Sequence, residues 1–238
     1  MEMIHVATKP KKLGEYKEIV YNSAHWKLLG KIRKKATCIM TALEGFRLHT
    51  LVHGSIARGD VNMNSDIDVF VTDPRSSFLV ETALERANIP VNARLLIQAT
   101  PNYAMKAYIE VDARTSLSFS LMHMRRVERE LYKFGGEVNL NKLKTKARVA
   151  GVDKRLMLIE PTVKGHIESN IVGHEEAVAK LLGISVETVR NRVHALLRRD
   201  KVGRTGVFIK RELPFDETFE QALKNLADEN PAVRRRMK

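Results

Sequence analysis

The residues best suited to chemistry lie in one short stretch, HGSIARGDVNMNSDIDVFV, which begins at His53. Asp66 and Asp68 are separated by one residue, and the apolar run Ile67 to Val71 predicts a strand. Because alternate residues of a strand point to the same face, the two carboxylates should lie about 6 to 7 Å apart. Carboxylate oxygens are the ligands that Mg²⁺ prefers, so the pair predicts a site for Mg²⁺ or Mn²⁺, with two ions expected.

Ten residues separate this pair from Gly54-Ser55, which follows a short apolar strand. A glycine at a strand end lets a phosphate approach the backbone closely, and Ser55 adds a hydroxyl and an amide. We therefore expect Gly54 and Ser55, with Arg58 close behind, to bind a nucleoside triphosphate. An Asp-x-Asp pair alone also occurs on solvated edge strands, and an arginine in a polar turn is often only solvated.

The surrounding sequence predicts the elements that must position these residues. Apolar residues recur at helical spacing from Asn22 to Glu44. Further patterns predict strands over 49–53, 67–71, 93–99, 108–111 and 117–121, and a helix over 76–87. This order predicts an α/β (α+β) domain with a mixed sheet over residues 1–134. The sequence has no Gly-x-x-x-x-Gly-Lys-Ser/Thr phosphate loop and no His-Glu-x-x-His zinc helix.

The Gly-Ser and Asp-x-Asp segment resembles the signature of the polymerase-beta-like nucleotidyltransferase superfamily. Residues 55–59 also have the Ser-x-Ala-Arg-Gly form of its small stand-alone members. The resemblance implies a nucleotidyltransferase fold. It also implies transfer of a nucleoside monophosphate from a triphosphate, such as ATP, to an acceptor with release of pyrophosphate.

The superfamily resemblance further implies a third carboxylate from a later strand, for which Ile109-Glu110-Val111-Asp112 is the candidate. This strand resembles the Glu-Val-Asp strand of archaeal CCA-adding enzymes, and their matching carboxylate falls on Asp112. We expect Asp112 to act as a metal ligand and general base beside Asp66 and Asp68. Strand alternation places Glu110 on the same face, so geometry leaves both residues open.

Composition limits the surroundings in which this chemistry takes place. The chain has 41 Lys and Arg against 28 Asp and Glu, a formal charge of +13 that favours polyanionic partners. The one cysteine, Cys38, lies in a helical pattern and is expected in the core of a protein from a reducing compartment. The sequence has no run of about 18 apolar residues, so we expect a cytoplasmic protein that is not in the membrane.

Beyond the first domain, a lysine-rich stretch predicts a basic connector over 135–164. Residues 165–212 then predict two helices joined at Gly183-Ile184-Ser185, followed by a hairpin over Asp200 to Arg211. A helix near Asp216 and a basic tail complete the chain over 213–238. The candidate nucleic-acid contacts are Arg190, Asn191, Arg192, His194 and Arg198 on the second helix, with Arg204 at the hairpin tip.

The stretch 165–212 resembles winged helix-turn-helix domains, which implies contact with DNA or RNA, although such helix pairs also bind proteins. The whole layout resembles uncharacterised archaeal proteins that join a small nucleotidyltransferase domain to a C-terminal helix-turn-helix. We therefore expect a nucleotidyltransferase that acts on an acceptor, with nucleic acid as a possible acceptor. The alternative is a DNA-binding transcriptional regulator whose nucleotidyltransferase domain senses a nucleotide without turning it over.

Overall fold

The structure, a computed structural model, describes residues 16–74, 76–203 and 206–237. The helices of this part of the chain are α1 (Ser23–Glu44), α2 (Ser55–Arg58), α3 (Ser77–Arg86), α4 (Arg126–Phe134), α5 (Leu140–Lys144), α6 (Glu175–Leu182), α7 (Val186–Val202), α8 (Phe219–Glu229) and α9 (Pro231–Met237). Its strands are β1 (Lys17–Val20), β2 (Thr50–His53), β3 (Ile67–Val71), β4 (Ala93–Gln98), β5 (Lys106–Asp112), β6 (Thr115–Ser120), β7 (Glu137–Asn139), β8 (Gly151–Val152), β9 (Met157–Pro161), β10 (Gly165–Asn170) and β11 (Ile209–Glu212).

Helix α1 begins where the sequence predicts it. The side-chain oxygen of Asn22 accepts a hydrogen bond from the backbone N–H of His25 at 2.9 Å, which satisfies a donor that the first helical turn leaves free. Leu29, Ala36 and Met40 recur at helical spacing and are buried. This apolar face fixes how α1 lies on the sheet.

The large sheet has seven strands in the order β11-β4-β5-β6-β3-β2-β7. Strand β3 pairs in parallel with β6 and antiparallel with β2, so the sheet is mixed, as the sequence predicts. In the antiparallel pair Val52 lies opposite Val69. The end of β2 and the start of β3 therefore meet at one end of the sheet, which brings Gly54 next to the Asp66–Asp68 segment.

The two faces of the large sheet are covered differently. Helices α1, α3, α5 and α8 pack on one face and bury Val69, Leu117 and Ile109 in the main core. The opposite face carries Asp68 and Phe70, the alternate residues of β3. Helix α4 covers part of it, with the ring of Tyr132 stacked on Phe70 at a centroid distance of 4.2 Å. The acidic residues of β3 thus point away from the main core.

A second, antiparallel sheet has the order β1-β10-β9-β8. Its apolar residues pack with α6, α7 and the end of α4 into a separate core, which includes Phe134, Leu158, Val178 and Val193. The two predicted helices of the C-terminal region are confirmed, with Gly183 in the left-handed conformation between them (φ +62°). They pack on this small sheet.

The predicted basic connector over 135–164 is wrong. These residues form β7 at the edge of the large sheet, helix α5, and β8 and β9 of the small sheet. Val138, Leu140 and Leu143 stand between the lysines and are buried in the main core. The lysines of this stretch are exposed, whereas Arg148 and Arg155 are partly buried and bond to Gly165 and Glu168 of the small sheet. The charge count alone does not show this packing.

The predicted hairpin over Asp200 to Arg211 is also wrong for the described residues. Helix α7 continues to Val202, and β11 pairs antiparallel with β4, placing Lys210 opposite Ile97. Helix α8 buries Phe219 in the main core, so residues 213–237 pack on the first domain. Arg204, the predicted hairpin tip, lies outside the described residues.

Two smaller expectations concern exposure. Cys38 is exposed and is not a core residue, because it lies on the side of α1 away from Ala36 and Met40. Among the described residues, no helix has the length and apolar character needed to cross a membrane.

Candidate active site

The two aspartates of the motif lie at the start of β3. Asp66 is exposed and Asp68 is half-buried. The hydroxyl of Ser116, on the neighbouring strand β6, donates a hydrogen bond to Asp68 Oδ1 at 2.8 Å. This contact confirms that Ser116 and Asp68 share the face opposite the main core.

The strand register separates the two candidates for a third carboxylate. Glu110 of β5 pairs with Ser116, which in turn pairs with Asp68, so the three residues form one row across three strands. The register then shifts between Glu110 and Asp112, and Asp112 pairs with Thr115 in the next row. Residues of one row point to one face, so Glu110 shares the face of Asp68.

Asp112 has different partners. Its carboxylate forms an ion pair with Lys35 of α1 and accepts a hydrogen bond from the backbone N–H of Arg114 at 3.1 Å. Burial opposes ionisation, but these hydrogen bonds outweigh it and lower the pKa of Asp112. As the third carboxylate, Glu110, the alternative that the sequence left open, is therefore better supported than Asp112.

The Gly54-Ser55 turn is held tightly by its neighbours. Gly54 has φ +75° and its N–H donates to the carbonyl of Gly136 at 2.9 Å, while the space where a side chain would lie is open. The hydroxyl of Ser55 donates to that of Ser65 at 3.2 Å, one residue before Asp66. The turn leaves an approach to the backbone beside Gly54 and joins it to the aspartate segment.

Arg58 does not face that opening. Its guanidinium donates to both carboxylate oxygens of Asp60, at 3.0 and 2.8 Å, and to the carbonyl of Gly135 at 2.6 Å. The side chain is only 6% exposed. Arg58 joins the motif turn to the end of α4, with Asp60 as its ion-pair partner. These contacts favour a structural role, and its contact with a triphosphate stays a prediction.

Sequence reasoning missed Arg33. Its guanidinium donates to Ile56 O through Nε at 3.0 Å and through Nη2 at 2.8 Å, and to Ala57 O at 3.1 Å. A further bond reaches Ala147 O at 2.8 Å. Burial lowers the pKa of Arg33 to about 10. The signal was present, because Arg33 stands four residues after Leu29 and three before Ala36, inside the apolar stripe of α1.

Arg33 therefore fixes the short helix that carries Ser55. A four-residue helix cannot satisfy its own carbonyls, and α2 relies on outside donors for Ile56 and Ala57. A buried guanidinium supplies several donors in one rigid fork. The position of the Gly54-Ser55 turn thus depends on a side chain from α1.

Further along the open face, His53 and Lys106 contact the ring of Tyr132, and the charge of Asp68 acts on His53 and Tyr108. Burial lowers the pKa of His53 in spite of the nearby charge of Asp68, so its imidazole is neutral. Its ring packs edge-on against Tyr132 at 4.9 Å. Burial lowers the pKa of Lys106 to about 8, and its ammonium donates to the hydroxyl of Tyr132 at 2.8 Å. These contacts assign His53 a packing role.

The carboxylates of the motif are the groups that could hold a divalent ion. In the described ranges no group of three or more His, Cys, Asp or Glu side chains is placed to hold a metal. Mg²⁺ in nucleotide sites is usually held by one or two carboxylates together with substrate phosphates. Asp66 and Asp68, accessible on one strand face, fit that pattern.

Helix α7 presents only some of the residues predicted to contact nucleic acid. Asn191, His194 and Arg198 are exposed. Arg190 is exposed but pairs with Glu176 of α6 at 3.1 Å. Arg192 is partly buried, and this burial lowers its pKa. Fewer residues of α7 are therefore available for contact with nucleic acid than the sequence predicts.

The start of α7 is tied to the first domain by Glu130 of α4. Its carboxylate accepts hydrogen bonds from the Ser185 N–H at 3.0 Å, the Ser185 hydroxyl at 2.5 Å and the Thr188 hydroxyl at 2.6 Å. Burial opposes ionisation, but these bonds lower the pKa of Glu130 to about 2. Ser185 also caps α7, its hydroxyl accepting a hydrogen bond from the Thr188 N–H at 3.2 Å. Sequence reasoning missed its long-range partner Glu130.

Comparison with known proteins identifies one part of the chain. Residues 41–132 match the family model of the nucleotidyltransferase domain. The matched range contains Gly54-Ser55, Asp66, Asp68 and β5, and the mixed sheet fits such a domain. Comparisons with curated proteins and with solved structures gave no significant match. The family match supports nucleotidyl transfer as the general chemistry of the domain.

Proposed function

We propose that this protein is a metal-dependent nucleotidyltransferase that moves a nucleoside monophosphate from a triphosphate to a nucleic-acid acceptor. The carrying observation is the placement of the Gly54-Ser55 turn and the Asp66–Asp68 pair at the same end of the β2–β3 pair. This arrangement sets phosphate-binding groups beside two carboxylates on one face. A triphosphate needs both.

In this proposal the chain's residues bind and orient the reactants. Gly54 and Ser55 receive the outer phosphates through backbone and hydroxyl groups. Asp66 and Asp68 hold Mg²⁺ or Mn²⁺, with two ions expected as the triphosphate binds. The bound ions supply charge neutralisation for the phosphates and for the departing pyrophosphate. Burial lowers the pKa of His53, which leaves no imidazolium charge beside them.

The acceptor hydroxyl attacks the α-phosphorus, and the bond to pyrophosphate breaks. A carboxylate must take the proton of that hydroxyl. Glu110 is the better candidate because it shares the row of Asp68, whereas Asp112 is engaged with Lys35. Glu110, and not Asp112, is therefore proposed as the third carboxylate and general base.

The test is transfer of label. The protein is incubated with each α-labelled triphosphate, Mg²⁺ or Mn²⁺, and separate RNA, DNA, protein and small-molecule fractions of a cell extract. We expect label in a nucleic-acid fraction and none with the Asp66→Ala plus Asp68→Ala variant. Label that persists in the double variant contradicts the proposal. Label only in the protein or small-molecule fraction keeps the reaction and replaces the acceptor.

One observation favours a second function, a DNA-binding regulator that senses a nucleotide without turning it over. The residue beside Asp68 on β6 is Ser116, which has no carboxylate. The carboxylate of Asp112 is paired with Lys35. Neither residue therefore supplies a free carboxylate next to the aspartates. A regulator of this kind binds a triphosphate without releasing pyrophosphate. It also prefers one duplex sequence, and changing Arg190 and Asn191 weakens that preference. Pyrophosphate release measured alongside nucleotide binding separates the two functions.

A further inference from the structure

Six exposed lysines lie on two adjoining helices of the first domain. Helices α1 and α5 pack against each other through the main core. We refer to the following residues as the lysine face: Lys27, Lys31 and Lys34 of α1, and Lys142, Lys144 and Lys146 in and just after α5. The three lysines of α1 are spaced by four and three residues, so they form one stripe opposite the buried side of the helix.

The lysine face has no acidic residues to balance it. Residues 23–43 and 139–152 contain no Asp or Glu. In the described part of the chain none of the six lysines takes part in an ion pair. Helix α7 differs, because Glu187 lies on it and Arg190 pairs with Glu176. The positive charge of α1 and α5 is therefore less balanced by acidic residues than that of the Arg190 region of α7.

Helix α1 also borders the candidate active site. Arg33, on its buried side, holds α2 through Ile56 O, and Lys35 pairs with Asp112 at the end of β5. Helix α1 therefore runs past the end of the sheet where Asp66 and Asp68 lie, while its lysine stripe faces away from the sheet and Asp68 lies on the opposite face. A polyanion bound along the stripe has to bend around that end of the sheet for its terminus to reach the aspartates.

We propose that the lysine face binds the phosphodiester backbone of the nucleic-acid acceptor. The inference rests on the proposed function for its choice of acceptor, but the binding itself needs no catalysis. Phosphates spaced along a strand match lysines spaced along a helix better than a single anion does. An acidic membrane fits less well, since a helix that binds lipid turns its apolar side outward and α1 buries it in the core.

The test is equilibrium binding of fluorescent single-stranded RNA and DNA of about 20 nucleotides, followed by anisotropy between about 50 and 200 mM salt. The variant is Lys27→Glu plus Lys31→Glu plus Lys34→Glu, which keeps good helix formers at solvated positions. We expect affinity at least ~10-fold weaker and a salt slope smaller by about 2, since each lost phosphate contact removes roughly 0.7. The RNA and DNA arms decide which nucleic acid is bound.

The matched control reverses three charges on α7, Arg190→Glu plus Arg198→Glu plus Arg199→Glu, at exposed positions, and should weaken binding less. Asp66→Ala plus Asp68→Ala should bind like the wild type, which separates binding from catalysis. Unchanged affinity and slope in the lysine variant overturn the inference, as does a wild type that binds neither nucleic acid. In that last case transfer of label to another acceptor still leaves the nucleotidyl transfer reaction in place.

Discussion

The β2–β3 strand pair and helix α7 both carry residues that the sequence predicts to be functional. The structure places those of the strand pair as predicted, whereas on α7 only some of them are exposed and unpaired. In the strand pair, alternation along one strand and one antiparallel pairing suffice to bring Gly54 beside the Asp66–Asp68 segment. On α7, Arg190 forms an ion pair with Glu176 and Arg192 is partly buried, so both are less accessible to a nucleic acid than the sequence predicts. The sequence therefore predicts local strand geometry better than it predicts which side chains are exposed.

The same contrast appears within the site. Asp66 and Asp68 are two residues apart on one strand and their shared face follows directly. Glu110 and Asp112 are also two residues apart, yet the register shift between them sends Asp112 to another row. Spacing predicts a shared face only where the strand pairing is regular.

The largest expected effect tests this difference. Glu110→Gln removes the proposed base and should lower kcat by about 100-fold, the lower end for general base catalysis. Asp112→Asn, two residues away, should change kcat by less than about threefold, since its carboxylate pairs with Lys35 at the surface. Steady-state rates of labelled transfer measure both. The reverse order of effects would restore Asp112 as the third carboxylate.

The next effect concerns how α1 positions the motif turn. Arg33→Lys keeps a charge but loses the fork that serves Ile56 O and Ala57 O. We expect KM for the triphosphate to rise by about tenfold, equivalent to roughly 1.4 kcal/mol, with a smaller change in kcat. Initial rates over a range of triphosphate concentrations measure the two constants.

Arg94 provides the matched control for Arg33. It is also buried and its guanidinium donates to two backbone carbonyls, Pro214 O at 2.6 Å and Glu217 O at 2.8 Å, far along the chain from the motif. Arg94→Lys should lower stability and leave KM unchanged. An equal rise in KM for both variants would assign Arg33 a general structural role.

A third effect measures how firmly α7 is held by the first domain. Glu130→Gln weakens the bonds from Ser185 and Thr188 and should reduce the free energy of unfolding by about 1–3 kcal/mol at pH 7. The folded pKa of about 2 lies below the ordinary value of 4.5. The stabilisation is therefore complete above about pH 4.5 and is lost as the pH falls towards 2.

Urea unfolding of both proteins between pH 7 and pH 3 measures this difference. The gap between wild type and Glu130→Gln should narrow on acidification, because the carboxyl of Glu130 takes up a proton in the unfolded chain below about pH 4.5, which favours unfolding of the wild type alone. Glu176→Gln, at an exposed position, should show a smaller gap of at most about 1 kcal/mol, since its ion pair with Arg190 is solvated. A gap independent of pH would mean that the hydrogen bonds act without the charge.

The sequence predicts most of the first domain because its signals are local. Helical spacing places α1, and the apolar run Ile67–Val71 is β3 as predicted. The role of Arg33 and the partner of Glu130 depend on residues far along the chain, so no local pattern names the carbonyls or hydroxyls they contact. Likewise β11 joins the large sheet by pairing with β4, so Ile209 lies opposite Gln98 although the two residues are far apart in the sequence.

The smallest expected effect concerns the ion pair of Arg190 with Glu176, which decides whether Arg190 can bind a phosphate. Its side chain and that of Glu176 are 58% and 78% exposed, so their ion pair should contribute about 0.2–1 kcal/mol. A double-mutant cycle with Arg190→Ala and Glu176→Ala, read by urea unfolding, measures this coupling. A value in that range leaves Arg190 able to exchange Glu176 for a phosphate. A larger coupling would mean that Glu176 holds Arg190 against α6, unlike Lys27, Lys31 and Lys34, which form no ion pair within the described residues.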